Sequence, residues 1–395
     1  MLFRKANSSE AELPGADTPE PVITTGGPAE LEASGILTID CRAIVRNWKA
    51  LTNYAAPAEV AAVVKADAYG CGLEPISEAL AGAGCRTFFV AQLPDARRLR
   101  AVLPDAAIYV TNGIASGSAA AFAEIDAQPV IGNLAELAEW DGFRAVSKWH
   151  GGAALQFDTG MNRLGLGLAE AEALAARCKM PGHGITLIMS HLACADEPDH
   201  PLNRQQIEIL RDLRLMFRGI AVSVANSAGI FLGASAHFDI VRPGIALFGG
   251  NPVPGSDNPM EPVIDLKARV AQLRTIERGV TVGYNATWTA KRPTRLAIVT
   301  AGYADGYPRP VGASDTLTGG EVVVGGRRCP VVGRVSMDLI AVDITELPEN
   351  AVRRGDLVTL IGDQITVDEF AGWSRTISYD VLTRLGRRYH RVWKS

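Results

Sequence analysis

The fold is decided by residues 60–70, VAAVVKADAYG, in which an apolar run ends at a lysine, Lys65. An apolar run of this kind is typical of a strand that is buried on both faces of a parallel sheet. Because side chains alternate along a strand, Lys65 is expected to point into the mouth of a barrel. Its valine and alanine neighbours would partly desolvate the ammonium, which lowers an amine pKa and favours the free amine that covalent or general-base chemistry needs. The alternative is an ordinary surface lysine at a strand end, and position alone favours that alternative.

Further apolar runs of similar length follow along the chain, separated by alanine- and leucine-rich segments with helical spacing, such as residues 73–83 and 168–179. Strands that alternate with helices in this way predict parallel βαβ units. An open doubly wound sheet gives the same alternation, but a count of eight strands favours closure into a (β/α)8 TIM-type barrel. The predicted strands are residues 60–65, 86–91, 106–111, 128–131, 153–158, 184–190, 220–224 and 238–241.

The sequence beyond about residue 262 is of a different kind. Short β-branched segments separated by glycine and proline replace the helical stretches, which predicts a mostly β C-terminal domain over residues 263–395. Residues 251–258 are rich in Pro, Gly and Asn and predict a linker, so the barrel is assigned to residues 35–262. The predicted strands of the second domain are residues 266–273, 296–299, 321–324, 330–332, 339–342 and 357–361.

The net charge of -4 over 395 residues is unevenly distributed. Residues 1–34 carry two basic and six acidic side chains together with four prolines, and the rest of the chain is balanced at 37 of each sign. A segment with so few large apolar side chains cannot bury enough surface to offset its ordering entropy, which predicts a disordered N-terminal tail over residues 1–34. The near-neutral remainder offers no basic surface for nucleic acid and no polybasic stretch for an anionic membrane.

The six cysteines indicate the compartment. They are scattered without CxxC spacing in a chain too long to need disulfides, which predicts reduced thiols in a cytoplasmic protein, and no metal site is expected. Arg4 and Lys5 are not followed by the apolar stretch of about 7–15 residues that a signal peptide needs. No apolar run approaches the ~18 residues of a transmembrane helix.

Polar side chains stand at the ends of other predicted barrel strands, where barrel enzymes gather their functional groups. Arg163 lies in a glycine-bounded loop after the fifth strand, and its fork-shaped guanidinium suits a carboxylate. His191 follows the sixth strand. Taken singly, Arg163 is as consistent with an ordinary surface arginine as with a carboxylate-binding residue. A lone histidine at the position of His191 is more often a packed, hydrogen-bonded residue than a catalyst.

The loops after the seventh and eighth strands predict a phosphate site. Ser227 follows the seventh, and Arg242, Gly244 and Ile245 follow the eighth, which is where barrels frequently bind phosphate through backbone N–H groups. Taken alone, Gly229 and Gly244 would be interpreted as turn residues. A lysine after the first strand, an arginine after the eighth and a phosphate cup between the seventh and eighth together describe a pyridoxal-phosphate site.

The sequence closely resembles the alanine racemases, the barrel-type pyridoxal-phosphate enzymes, over about residues 35–393. Several strings in one order carry the resemblance, which is far more specific than any single motif. In the barrel they are residues 62–70, 158–165, 226–229 and 242–249, and in the second domain residues 282–284, 302–309, 333–338 and 376–380.

The resemblance implies a two-base racemisation of alanine. Lys65 would bind the cofactor covalently and then act as one proton-transfer base, and Tyr284 of the partner subunit would be the other, on the opposite face. This implies a head-to-tail homodimer with shared sites. A tyrosine with an ordinary pKa of ~10 is a poor base, and in the family His191 and Arg242 form the hydrogen-bonded chain that assists it. Arg242 would also face the pyridine nitrogen.

The remaining site residues follow from the same resemblance. Tyr69, Ser227, Gly244, Ile245 and Tyr379 would bind the phosphate. Arg163 and the backbone N–H of Met337 would receive the substrate carboxylate, and Tyr303 with Tyr379 would narrow the entrance so that a methyl side chain is favoured.

Three positions depart from the family pattern. Gln156 stands where many members have a carbamylated lysine that orients the substrate-binding arginine, and a neutral amide cannot supply that negative charge. Cys71 replaces a frequent histidine and Ser336 a frequent cysteine. Neither of these two positions carries an obligatory chemical step.

Alternative functions stay open on the sequence. They are an amino-acid racemase of broader specificity, a decarboxylase of the same architecture, a non-catalytic pyridoxal-phosphate-binding barrel and a plain phosphate-binding barrel. The sequence also leaves open whether a racemase would supply D-alanine for peptidoglycan or degrade alanine.

Overall fold

The computed structural model describes residues 23–395. The chain starts with two strands, β1 (Ile23–Gly26) and β2 (Gly35–Asp40), followed by helix α1 (Cys41–Ala55). Helix α1 begins where the Asp40 carboxylate accepts the backbone N–H of Ala43 at 2.9 Å.

A barrel of parallel strands and outer helices follows α1. The first barrel strand is split into β3 and β4, and each later strand leads to a helix or a loop. The elements are β3 (Glu59–Val60), β4 (Ala62–Val63), α2 (Lys65–Tyr69), α3 (Leu73–Ala83), β5 (Thr87–Val90), α4 (Leu93–Val102), β6 (Ala107–Val110), α5 (Ala119–Glu124), β7 (Gln128–Ile131), α6 (Leu134–Ser147), β8 (Ala153–Gln156), α7 (Ala171–Arg177), β9 (Ile185–Met189), α8 (Pro201–Met216), β10 (Ala221–Ser223), α9 (Ser227–Ile230), α10 (Ala234–His237) and β11 (Ile240–Val241).

The barrel closes on itself. Strands β4 to β10 lie side by side in chain order, and β11 pairs in parallel with β3. The backbone N–H groups of Asp239 and Arg242 donate to the carbonyls of Val222 and Ala225, at 3.0 and 2.8 Å, and so join the segment around β11 to that of β10. The predicted (β/α)8 barrel is therefore confirmed.

The interior of the barrel is filled by a separate apolar cluster below the carboxyl ends of the strands. Phe89 and Tyr109 stack there with ring centres 4.9 Å apart. Functional groups accordingly lie above this layer, at the face where barrels place their sites. The cluster consists of Ala61, Phe89, Tyr109, Val130, Ala154, Leu187, Met189 and Ile240.

The C-terminal part is mostly β structure, as predicted. Its elements are β12 (Ile264–Ile276), β13 (Thr281–Val282), β14 (Trp288–Thr289), β15 (Thr294–Val299), β16 (Glu321–Val324), β17 (Arg327–Val332), β18 (Ile340–Asp343), β19 (Leu357–Ile361), α11 (Val367–Trp373), α12 (Ser378–Thr383) and β20 (His390–Lys394). Strand β12 pairs with β2 and β19 along its first part and with β15 along its second. The contact between β12 and β19 closes β12, β15, β18, β17, β16 and β19 into a ring.

The prediction of disorder over residues 1–34 is wrong for residues 23–34. Strand β1 pairs antiparallel with β20, the His390 ring lies 2.9 Å from the carbonyl of Pro28, and Ala33 is buried. Composition misled because a strand added to the edge of an existing sheet gains backbone hydrogen bonds whatever its side chains are. Residues 1–22 lie outside the described residues.

The predicted start of the barrel at residue 35 is also wrong. Strand β2 lies between β20 and β12 in the sheet of the β domain, so the barrel begins only after it. Its side chains alternate between buried and half-buried positions, which suits a sheet with one covered face rather than a barrel strand buried on both. Within residues 23–395 no helix combines the length and the apolar character that crossing a bilayer requires.

Candidate active site

A cavity of about 280 Å³ opens at the carboxyl ends of the barrel strands. It brings together eight of the residues that the sequence predicted for the site, although they are spread over almost the whole chain. These are Lys65, Tyr69, Arg163, His191, Ser227, Arg242, Gly244 and Tyr379. Ile245 follows directly, fully buried at the start of a 3-10 turn (Ile245–Phe248).

The sequence predicted that Lys65 would end a strand. In the structure, Lys65 instead begins a left-handed turn. Residues 66–69 have φ angles between 51 and 56°, and Gly70 continues the turn with φ 77°. The left-handed conformation costs roughly 1–2 kcal/mol for each residue that carries a Cβ, so contacts elsewhere must hold it. The Asp67 carboxylate holds it from within, because it accepts the N–H of Leu73 at 3.2 Å and pairs with Arg98 at 2.8 Å.

The β domain holds the same turn from the other side. Arg391 of β20 donates to the carbonyl of Gly70, and the indole N–H of Trp393 donates to the carbonyl of Cys71 at 2.6 Å. A Cβ added at Gly70 would lie 2.3 Å from the carbonyl oxygen of Leu382. The two domains are therefore packed directly against each other at the segment that presents Lys65.

The Lys65 ammonium stands in a positively charged, partly enclosed place. Burial lowers its pKa, and the nearby guanidinium groups of Arg163 and Arg242 lower it further. The side chain stays in contact with solvent through the cavity mouth. A lysine in this setting releases its proton more readily than a surface lysine, as nucleophilic or general-base chemistry requires.

The predicted phosphate cup forms around Ser227. Its Oγ accepts the backbone N–H groups of Gly244 and Ala246, at 2.8 and 3.2 Å. Both lone pairs are then occupied, so the hydroxyl proton is free to donate to an anion. A Cβ at Gly244 would lie 2.1 Å from the Tyr69 hydroxyl, so glycine is what keeps this corner open.

Two tyrosines complete the cup. The Tyr69 ring stacks on Phe248 with centres 4.7 Å apart and lies 6.0 Å from the ring of Tyr379. Burial raises the pKa of Tyr69, and burial together with Asp196 raises the pKa of Tyr379 to about 12. Both phenols therefore stay protonated at neutral pH and can donate hydrogen bonds to a phosphate.

Arg242 is a fully enclosed cation on the opposite wall. Its guanidinium donates to the Ser190 carbonyl at 2.8 Å and to the Ser223 hydroxyl, and lies 5.8 Å from the centre of the Phe89 ring. Burial lowers its pKa to about 10, so it remains protonated at neutral pH. The group can donate hydrogen bonds into the cavity without giving up its proton.

His191 lies beside Arg242, with Nδ1 3.4 Å from the guanidinium. Burial lowers the pKa of His191 to about 3, and the positive charges of Arg242, Arg163 and Lys65 act in the same direction. The imidazole is therefore neutral at physiological pH and can accept a hydrogen bond from Arg242. The predicted contact between these two residues is present.

Gln206 of α8 positions His191 and was missed by the sequence interpretation. It is fully buried, and its amide donates to the carbonyl of His191 at 2.9 Å and accepts the N–H of Ala193 at 2.9 Å. It also donates to the Thr159 hydroxyl at 3.0 Å. A glutamine in an amphipathic helix gives no sign in the sequence that it will be buried, so nothing in the pattern could have revealed this role.

The loop that carries Arg163 is anchored on both sides. One Asp158 oxygen accepts three consecutive backbone N–H groups, of residues 160–162, at 2.9 to 3.1 Å. Gln156 donates to the carbonyl of Leu164 at 2.8 Å. The neutral amide at position 156 thus holds the backbone beside Arg163.

Tyr284, Met337 and Tyr303 do not line this cavity. They lie on the β domain with 64, 53 and 45 % of their surface exposed, respectively. Within one chain, therefore, the structure does not bring the second predicted base to the lysine.

The residues of the cavity fit pyridoxal phosphate. The corner at Gly244, with the hydroxyl of Ser227 free to donate, suits the phosphate. The buried cation of Arg242 suits the ring nitrogen, and the amine of Lys65, with its lowered pKa, suits the aldehyde carbon.

The comparisons with known proteins agree with this geometry. The family model described as "Alanine racemase, N-terminal domain" matches residues 39–252, and "Alanine racemase, C-terminal domain" matches residues 263–393. An alanine racemase of Methylobacterium nodulans is 51% identical over 356 residues, which cover 90% of this chain and 95% of that protein.

Two solved structures are similar over their whole length. The alanine racemase from Bartonella henselae, with covalently bound pyridoxal phosphate, has a TM-score of 0.85 and 39% identity, covering 91% of this chain and 99% of that one. The biosynthetic alanine racemase from Pseudomonas aeruginosa has a TM-score of 0.83 and 35% identity, covering 92% and 100%. With the barrel and the β domain each matched in order, the chain belongs to the alanine racemase family.

Proposed function

We propose that this chain interconverts L-alanine and D-alanine with pyridoxal phosphate as its cofactor. The observation that carries the proposal is the cavity in which Lys65, the Ser227 cup and Arg242 converge. When bound, pyridoxal phosphate supplies the electron sink that makes the Cα proton of an amino acid acidic.

Lys65 is proposed as the covalent anchor and as one of the two bases. Its lowered pKa supplies free amine, which can remove or return a proton at the substrate Cα. Arg242 keeps its proton at neutral pH, so it donates a hydrogen bond to a ring nitrogen without protonating it. By leaving the ring nitrogen unprotonated, Arg242 would make the bound ring a weaker electron acceptor and so would limit side reactions such as transamination.

Tyr284 is proposed as the second base, contributed by the partner subunit. Racemisation needs proton transfer on both faces of Cα, and Lys65 serves only one of them. Tyr284 is exposed on the β domain, outside the cavity of its own chain. A head-to-tail homodimer would bring it to the opposite face of the partner's site, where the contact between His191 and Arg242 assists it.

The substrate carboxylate is proposed to bind between the two subunits. Arg163 lines the cavity from one chain, and the backbone N–H of Met337 is proposed to approach from the other. Tyr379 at the cavity and the partner's Tyr303 would then leave room for little more than a methyl group. This arrangement favours alanine over larger amino acids.

We further propose that the enzyme acts in the cytoplasm, supplying D-alanine for peptidoglycan or degrading alanine. All six cysteines are free thiols and four are buried, which is consistent with a reducing compartment.

The central test measures racemisation of alanine by the purified protein with and without added pyridoxal phosphate. We expect cofactor-dependent conversion in both directions, and loss of both activity and the visible absorption of the bound cofactor in Lys65→Ala. A parallel panel with serine and lysine measures specificity. An undiminished rate in Lys65→Ala, or cofactor binding without any racemisation, would contradict the proposal.

Shared sites are tested by combining two inactive variants. Lys65→Ala and Tyr284→Phe homodimers should each be strongly impaired. A heterodimer of the two has one site with both defects and one intact site, so activity should reappear on mixing. Continued inactivity of the purified heterodimer would show that the two bases do not come from different subunits.

A further inference from the structure

Arg388, two residues before the start of β20, contacts the two loops that carry Tyr303 and Met337. Its Nε lies 3.4 Å from an Asp305 oxygen, and its Nη1 donates to Asp338 at 2.7 Å. Asp305 closes the 3-10 turn that begins at Tyr303, and Asp338 directly follows Met337. One guanidinium thus bridges the two loops from behind, whereas Tyr303 and Met337 face outward.

The two loops are also joined through their backbones. The N–H of Tyr303 donates to the carbonyl of Ser336 at 3.1 Å, and the N–H of Ala304 donates to the carbonyl of Met337 at 2.9 Å. A Cβ at Gly302 would lie 2.2 Å from the Met337 carbonyl oxygen, so the loops are in close contact. A shift of one loop must therefore move the other.

The end of the bridge at Asp305 is buried. Asp305 has no exposed surface, and one of its oxygens accepts the N–H of Gly302 at 3.0 Å. Its other oxygen has no hydrogen bond within the described chain and faces the Arg388 guanidinium. A buried carboxylate that loses its counter-ion is strongly destabilised, so removing Arg388 should rearrange this turn rather than leave it in place.

We propose that Arg388 is a positioning residue that sets the Tyr303 and Met337 loops for catalysis in the partner's active site. The inference rests on the proposed function, in which these loops serve the site of the other subunit. Arg388 itself contacts neither the cavity nor the cofactor residues. It acts through Asp305 and Asp338, by fixing where the Met337 N–H and the Tyr303 ring stand relative to the substrate.

Arg292 provides a matched control. It lies in the same domain, its side chain is equally exposed at 48 %, and it also pairs with two carboxylates, Asp343 and Glu346. Neither partner belongs to the two loops. Exposed ion pairs contribute little by themselves, so Arg292→Ala should leave kcat/KM for alanine within about twofold of the wild type.

The first measurement compares Arg388→Ala with this control. Because misplacing a binding group by about 1 Å can cost 100-fold, we expect kcat/KM for alanine to fall about 10- to 100-fold, with a raised KM. The visible spectrum and the dissociation constant of the cofactor should not change, because the barrel holds it. Arg388→Lys keeps the charge but cannot span both carboxylates, and it should recover activity only in part.

The decisive measurement uses heterodimers purified through two different tags. In the first heterodimer, a Lys65→Ala subunit is paired with an Arg388→Ala subunit. Only one live site, meaning a site that retains Lys65, is present. It combines the barrel of the Arg388→Ala subunit with the loops of the other subunit, in which Arg388 is intact. In the second, the Lys65→Ala, Arg388→Ala double variant is paired with wild type, and the live site receives loops that lack Arg388. We expect full activity per live site in the first and the 10- to 100-fold loss in the second.

Unchanged kcat/KM in Arg388→Ala, or a loss that appears in the first heterodimer and not in the second, would overturn the inference. So would equal losses in both, which would indicate a general effect on folding. If Arg388→Ala does not fold, Asp338→Asn replaces it in both pairings, because its carboxylate is exposed and Asp305 keeps its cation. The pairing of Lys65→Ala with Tyr284→Phe leaves Arg388 intact, so failure of the shared site is distinguished from failure of this inference.

Discussion

The guanidinium of Arg242 lies 3.4 Å from Nδ1 of His191, and both side chains line the same cavity. Burial lowers the pKa of the imidazole, and the permanent cation beside it lowers that pKa further. His191 is therefore held in the neutral form by its surroundings, and it serves as a hydrogen-bond partner rather than as a charged acid. This electrostatic arrangement has a consequence for stability.

The protein should lose stability on mild acidification, in part because of His191. Its pKa in the folded chain is about 3, below the ordinary value of 6.5, so the unfolded chain binds the proton more readily between these values. The free energy of unfolding should then fall as the pH falls below 6.5, by up to about 1.4 kcal/mol per pH unit from this residue. Urea unfolding from pH 7 to pH 5 measures the slope, and His191→Gln should flatten it. Identical slopes in the two proteins would contradict the assignment.

Gly244→Ala should weaken cofactor binding. The new Cβ would lie 2.1 Å from the Tyr69 hydroxyl, at the corner where the phosphate is proposed to bind. Overpacking of this kind costs about 1–3 kcal/mol, so the dissociation constant for pyridoxal phosphate should rise roughly 5- to 150-fold. Absorption titration measures it. Gly82→Ala on α3, where a Cβ meets nothing within 4 Å, is the control and should bind the cofactor normally.

Gln156→Leu should raise the KM for alanine while the cofactor stays bound. The change removes the 2.8 Å hydrogen bond to the Leu164 carbonyl and loosens the loop that carries Arg163. One net hydrogen bond of about 0.5–1.5 kcal/mol corresponds to an increase of a few-fold to about tenfold. Gln128→Leu is the control, because it also removes a hydrogen-bonded amide, but at the amino end of β7. Steady-state kinetics should show that this variant has an unchanged KM for alanine. An equal effect of both substitutions would argue against a specific role for Gln156.

Two alanine-to-glycine substitutions should have opposite effects on stability. Ala66 has φ 54°, so glycine relieves left-handed strain and should raise the free energy of unfolding by up to about 1 kcal/mol. Ala79 lies inside the right-handed helix α3, where glycine should lower it by about 1 kcal/mol. Chemical denaturation of both variants checks the signs. A decrease in Ala66→Gly would mean that the left-handed turn carries no strain.

The barrel strands were predictable because the pattern of apolar residues that forms each strand lies within a short stretch of sequence. Residues 128–131 were predicted and β7 is Gln128–Ile131, since an apolar run between helices leaves few alternatives. The meeting of the polar side chains at the barrel strand ends was likewise predictable, because strand ends in a closed barrel must meet at one face. Tyr69 and Tyr379 were expected at the site only from the family resemblance, and Tyr379 reaches the cavity from the β domain.

What could not be predicted depends on contacts between distant parts of the chain. The left-handed turn after Lys65 is held by Arg391 and Trp393, more than 300 positions away. Strand β1 has a composition typical of disorder and becomes a strand only because the edge of β20 accepts it. No local pattern contains such information, and the same holds for Gln206, whose burial is decided by the packing of α8 against the His191 loop.

The order of strands β1, β20, β2 and β12 places both ends of the described chain in one sheet. The barrel is consequently an insertion within the β domain, whose first strands are synthesised before the barrel and whose other strands are synthesised after it. As the chain leaves the ribosome, β1 has no neighbour to pair with until residues 390–394 emerge. Cutting the chain after the barrel would therefore not release a complete β domain, because β1 and β2 would stay with the barrel. Joining residue 394 to residue 23 and opening the chain in a loop elsewhere would keep the pairings of the described strands.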